Sequence, residues 1–171
     1  MDLPEPARCA CFTGHRQIDA ETMTALSRRL IELIPALAAR GVTGYYAGGA
    51  LGFDFIAAIT VLNLKQRIPS LSLTLALPCR GHTDRWRQED KALFARVTER
   101  ADRVLYISES FAPGCMQKRN RFMVDHSSLC LAYMTASRGG TVQTVRYAEK
   151  KGVPVIRLAD EAAGDPIRLP I

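Results

Sequence analysis

Six short apolar runs alternate along the chain with stretches of helical periodicity. No other feature of the sequence restricts the fold as much. The runs are Arg8–Thr13, Val42–Ala47, Leu71–Leu77, Arg103–Ile107, Ser128–Tyr133 and Val153–Leu158. They are too apolar to be strands with one wetted face, so they predict a mostly parallel sheet covered by helices on both sides. Asp19 is placed to cap a helix reaching about Arg40. Met23, Leu26, Leu30, Leu33, Ile34 and Leu37 form its stripe, Gly41 its stop, and Pro35 predicts a kink or break. Further helices are expected over Phe53–Gln66, from a cap at Thr83 or Asp84 to about Arg100, around Lys118–Ser127, and over Thr141–Lys151. The third of these five helices should bury Trp86, Leu93, Phe94 and Val97. The segment after Asp160 reads as irregular. The expected fold class is a three-layer α/β sandwich in one domain over residues 1–171, with its core at about 8–158.

A chain of 171 residues is long enough for one domain with a real core. No apolar run is long enough to span a bilayer, and the acidic, proline-bearing start Met1-Asp2-Leu3-Pro4-Glu5-Pro6 does not read as a signal peptide. The five cysteines lack CxxC spacing, so the expectation is reduced thiols, a cytoplasmic protein and no metal site. Cys9 and Cys11 should share a strand face. The net charge of +6 is carried mostly by arginine, the better fork for phosphate. Charge alone does not establish nucleic-acid binding.

Each unusual polar cluster falls just after a strand or opens a helix. Thr13-Gly14-His15-Arg16 follows the first run. Gly14 permits a turn, Thr13 and Arg16 suit a phosphate or sugar, and His15 can simply bond backbone. Gly48-Gly49-Ala50-Leu51-Gly52-Phe53-Asp54 passes from strand through glycines into helix, a design that cradles phosphate on backbone N–H groups. Asp54 can cap that helix, accept from a ribose or order a facing loop, and it is the remaining carboxylate for any acid catalysis. Arg80 and His82 could line a rim of the site, but their loop reads first as a cap for the next helix. Arg119 and Asn120 precede the fifth strand, with Arg121 and Asp125 spaced to pair. Ser137-Arg138-Gly139-Gly140-Thr141 sets glycines and a hydroxyl at another helix start, where Thr141 can cap or help hold an anion. The usual GxGxxG fingerprint and a Walker lysine are absent.

Taken in order, Thr13-Gly14-His15-Arg16, Gly48-Gly49-Ala50-Leu51-Gly52-Phe53-Asp54, Arg119-Asn120-Arg121 and Gly139-Gly140-Thr141 resemble the SLOG superfamily of Rossmann-like domains, and within it the YpsA-like family. The resemblance covers about residues 8–158. It implies recognition of a nucleotide or nucleotide-derived ligand at the carboxyl ends of the strands. It extends to the DprA core, which binds single-stranded DNA. It also extends to the LOG group, which hydrolyses nucleoside monophosphates to free base and ribose phosphate with a PGGxGTxxE motif. Here Thr144 stands where that motif has its glutamate, and the Pro-Gly-Gly lead-in is missing. Without that carboxylate the hydrolytic step loses its acid–base group.

The expectation is a binding or sensor domain with a small phosphorylated ligand. Its site residues are Thr13, Gly14, His15, Arg16, Gly48, Gly49, Gly52, Asp54, Arg119, Asn120, Gly139, Gly140 and Thr141. No cofactor is identified beyond that nucleotide-like ligand. Nucleic-acid binding is the second reading and hydrolysis the third. A homodimer through the first helix and the Trp86-bearing helix is implied by the resemblance and by the prevalence of two-fold pairs.

Overall fold

The computed structural model describes residues 3–159. Six strands form one sheet, in the order β4-β3-β2-β1-β5-β6, and every pairing is parallel. The strands are β1 Cys9–Gly14, β2 Gly44–Ala47, β3 Ser72–Cys79, β4 Arg103–Ser108, β5 Leu129–Tyr133 and β6 Val155–Arg157. The helices are α1 Ala20–Ala38, α2 Phe53–Leu64, α3 Gln88–Arg100, α4 Cys115–Asp125 and α5 Gly140–Lys150. The fold is the expected Rossmann-like α/β sandwich. The segment after Asp160 lies outside the described residues.

The order of the strands decides where a ligand can enter. The chain steps outward from β1 through β2 and β3 to β4, then returns to place β5 on the other side of β1. Right-handed crossovers then put the later helices on the opposite face. The larger core cluster gathers residues of α1, α2 and Val97 of α3. The smaller gathers Met123 and Val124 of α4 with Ala148 of α5. Loops leaving β1 and β5 therefore turn away from each other and open a crevice at their carboxyl ends.

Side-chain chemistry accounts for the layers. In α1, Leu26, Leu30, Leu33, Ile34 and Leu37 are buried along one stripe. Each such side chain contributes roughly 1.5–3 kcal/mol by leaving water. Asp19 caps the helix by accepting the Thr22 N–H at 2.8 Å. In contrast, α2 is apolar on nearly all sides, with Phe53, Phe55, Ala57, Ala58, Val61, Leu62 and Leu64 buried. A helix covered all round suits the middle of a layer. Cys9 and Cys11 do share one face, in the smaller cluster with Tyr46 and Cys130. All five cysteines are buried free thiols, and burial pushes Cys9 up to about 11.

Several boundaries differ from expectation. Pro35 does not break α1, which continues to Ala38. It stands in the last turn, where the helix ends soon after the lost hydrogen bond. α3 begins at Gln88, so neither Thr83 nor Asp84 caps it and Trp86 precedes it. Trp86 instead stands edge-on to Phe55, His82 and Phe94. Leu93 is exposed while Val97 is buried. α4 begins three residues early, at Cys115, because Gly114 takes a left-handed turn (φ 85°) ahead of it.

Candidate functional site

A cavity of about 300 Å³ opens at the carboxyl ends of β1 and β5. From β1 and its loop it takes Thr13, Gly14, His15 and Arg16. From α4 it takes Arg119 and Asn120, from α5 Gly140 and Thr141, and from α2 Asp54. These come from four separated segments, and the topology alone brings them together. Phe12, Ala50, Met116 and Met123 also line it. The sequence reading missed the methionines, although Met116, Asn120 and Met123 follow the i, i+4, i+7 spacing of one helix face. Gly48, Gly49, Gly52 and Gly139 do not line the cavity.

Protein, not open space, fills the glycine junction between β2 and α2. The N–H groups of Gly48 and Ala50 donate to Asp54 Oδ2, at 2.9 and 3.3 Å. Arg119 lies across the same turn, its Nη1 donating to the Gly48 carbonyl. A Cβ on Gly48 would overlap that guanidinium and stand 2.8 Å from Asp54 Oδ2. Gly52 (φ 80°) backs onto the loop after β1, where a Cβ would come within 2.5 Å of the His15 carbonyl. The Phe53 N–H donates to that carbonyl at 3.1 Å. Asp54 thus orders the glycine turn, while Gly52 occupies the N-cap of α2.

Asp54 and Arg119 are both buried. Burial pushes the Asp54 carboxyl above its ordinary range, against the pull of Arg119 and of the Ala50 and Gly48 N–H groups. Burial likewise lowers Arg119, and Asp54 opposes that shift. Arg119 Nε also donates to Asn120 Oδ1 at 2.6 Å. Asn120 Nδ2 passes the chain on to Thr144 Oγ1 at 2.9 Å, and that hydroxyl donates to the Gly140 carbonyl at 2.8 Å. The network therefore links the glycine turn to the start of α5.

The start of α5 is different. Gly139 is its N-cap, with φ 114°, and no side chain caps the helix. Thr141 therefore does not play the capping role its position suggested. The N–H groups of Gly140, Thr141 and Val142 have no acceptor among the described residues. A Cβ at Gly140 would meet nothing within 4 Å. These are the N–H groups and dipole end that favour an anion. Arg16 is exposed on the cavity wall, close enough to influence both Asp54 and Arg119, and makes no ion pair among the described residues.

His15 bonds backbone: its Nε2 accepts from Thr135 N–H at 2.8 Å and Ala136 N–H at 3.3 Å. The expected Arg121–Asp125 pair is replaced by other partners. Asp125 pairs with Lys151 at 3.1 Å and accepts from Tyr147 Oη, while Arg121 stands over the Tyr147 ring. Arg80 stands over Tyr106 and His82 packs on Trp86 and Phe94, away from the cavity. No helix among the described residues is long and apolar enough to cross a membrane, and they hold no group of three or more His, Cys, Asp or Glu able to take a metal.

The family model YpsA, the YspA SLOG family, matches residues 11–155. The SPbeta prophage-derived protein YoqJ of Bacillus subtilis is 30% identical over 142 residues, covering 75% of this chain and 83% of that one. Two solved structures of DNA processing protein A share the fold. The one from Helicobacter pylori, described by its single-stranded DNA binding mode, has a TM-score of 0.61 at 19% identity over 88% of this chain. The one from Streptococcus pneumoniae has a TM-score of 0.64 at 17% identity over 88%. This chain spans 64% and 49% of their respective lengths.

The contrast between the two glycine clusters gives a direct test. Gly52→Ala should destabilise the protein by about 2–4 kcal/mol, since it is both strained and overpacked. Gly140→Ala should be neutral or mildly stabilising. Urea unfolding of the ligand-free protein measures both, and equal effects would contradict this assignment.

Proposed function

The chain belongs to the YspA SLOG family, and from that premise we propose that the β1–β5 cavity binds a nucleoside phosphate. The observation that carries this reading is the uncapped start of α5, where among the described residues three N–H groups lack acceptors and the neighbouring Arg16 makes no ion pair. The phosphate sits on the N–H groups of Gly140, Thr141 and Val142, and Arg16 closes over it. Met116, half-buried on α4, supplies the apolar contact for a base or sugar, with Phe12 and Met123 buried behind it. Gly48, Gly49 and Gly52 serve the site by holding its wall, not by touching ligand. The role is recognition. Thr144 offers no carboxylate, and Asp54 is already held by two N–H groups.

A second reading rests on a separate observation. A groove of about 460 Å³ between α4 and α5 carries Arg121, Arg146 and Lys150 and shares Asn120 with the cavity. Its lining includes no carboxylate. A single-stranded nucleic acid fits a basic groove flanked by an aromatic ring, here that of Tyr147. Pairing with a second copy is also part of the proposal, through Met23 and Ile31 on the outer side of α1, which are 39% and 51% exposed.

Calorimetric titration with nucleoside mono-, di- and triphosphates and sugar phosphates tests the first reading. At least one should bind. Arg16→Ala should weaken it about tenfold or more. Gly140→Val should abolish binding with the fold retained. Failure of the folded protein to bind any of them would reject this reading. For the groove, binding of a labelled oligonucleotide should fall steeply with salt and weaken in Arg121→Glu/Arg146→Glu, because each neutralised phosphate releases counterion. A salt-independent or absent signal would remove the nucleic-acid reading.

A further inference from the structure

The loop between β5 and α5 delivers the open helix start to the cavity, yet little holds it. Among the described residues, the hydrogen bonds made by residues 134–138 are the two N–H donations, from Thr135 and Ala136, to His15 Nε2. The rest of His15 is fixed elsewhere. Its carbonyl accepts the Phe53 N–H and lies against Gly52, and its ring stands edge-on to Tyr133, with centroids 5.7 Å apart and planes at 80°. One residue therefore ties the loop after β1 to the start of α2 and to the loop before α5.

We propose that His15 is a positioning residue that holds the β5–α5 loop in its anion-receiving form only while its imidazole is neutral, so that ligand affinity at α5 falls as that ring gains a proton. A nitrogen that accepts two N–H groups carries no hydrogen, so the ring proton is on Nδ1. The imidazolium is a donor at both nitrogens and would face Thr135 and Ala136 donor to donor. The charged groups of the surrounding elements are Arg16 in its own loop, Arg138 in the loop it holds, Asp54 on α2 and Arg119 on α4. Tyr133 on β5 is the titratable group in ring contact. With the loop released, the N–H groups of Gly140, Thr141 and Val142 no longer stand pre-aligned, and binding must supply their ordering entropy.

The ligand-affinity part of this inference rests on the nucleoside-phosphate reading; the loop lock does not. Two measurements keep them apart. In ligand-free protein at about pH 8, long-range imidazole NMR should find His15 as the Nδ1–H tautomer, with the Thr135 and Ala136 amides protected from exchange. Both amides should lose protection in His15→Phe and keep it in His15→Gln, whose Oε1 replaces the acceptor. An Nε2–H tautomer would overturn the proposal, as would protection unchanged in His15→Phe. In titrations with AMP, wild type should lose about tenfold more affinity than His15→Gln between about pH 8 and about pH 5.5. His15→Phe should be weak at both. The glutamine variant shares every effect of AMP's own ionisation. Equal pH dependence in wild type and His15→Gln would overturn the proposal, and so would tighter wild-type binding in acid. Absence of AMP, other nucleotide and sugar-phosphate binding at either pH would reject the nucleoside-phosphate reading, while the tautomer and exchange results would still decide the loop lock.

Discussion

The buried clasp of Asp54 and Arg119 on the two sides of Gly48 fixes the shape of the β2–α2 junction. The carboxylate takes the N–H groups of the glycine turn, and the guanidinium takes the Gly48 carbonyl. Removing either would take from the other a favourable neighbouring charge in a buried site and leave the Gly48 backbone group it holds without that partner. The arrangement takes up the Gly48 and Ala50 N–H groups and the Gly48 carbonyl of the β2–α2 junction inside the protein. At the other glycine-rich helix start, at α5, the N–H groups of Gly140, Thr141 and Val142 have no acceptor among the described residues.

Two helix starts with similar glycine content thus differ in packing. At α2, Gly52 is pressed between neighbours and the Phe53 N–H is taken by His15. At α5, Gly140 is open and no side chain caps the helix. The sheet order makes the difference useful. Because β5 returns beside β1, α5 opens onto the crevice where the β1 loop brings Arg16, while the α2 turn becomes the wall behind it. The chain Arg119–Asn120–Thr144–Gly140 joins wall and mouth through side-chain hydrogen bonds.

Much of the fold was legible because burial on both faces of a parallel sheet writes continuous apolar runs, and all six strands overlap theirs, with β1, β3 and β4 running one or two residues past the end. Boundaries were less legible where local signals competed with packing. Pro35 carries a helix-breaking signal, yet packing of Leu33, Ile34 and Leu37 carries α1 past it. Trp86 has the character of a helix core residue, but it packs in an aromatic group before α3 begins. Of the site residues named from sequence, Thr13, Gly14, His15, Arg16, Asp54, Arg119, Asn120, Gly140 and Thr141 come together around one cavity. Sequence could not separate ligand-facing glycines from packing glycines. That distinction depends on which side chain fills the space a Cβ would take, and Arg119 is 71 residues from Gly48. The acceptor role of His15 was open for the same reason, since Thr135 lies 120 residues away.

The central claim is that an anion lands on α5 and not on the glycine turn before α2. Backbone amide shifts of the labelled protein, followed during addition of the nucleoside phosphate that binds best, measure this directly. The account predicts large shifts at Gly140, Thr141 and Val142, with the amides of Gly48 and Ala50 unmoved because Asp54 already holds them. Shifts centred on Gly48, Ala50 and Phe53, with α5 silent, would contradict it.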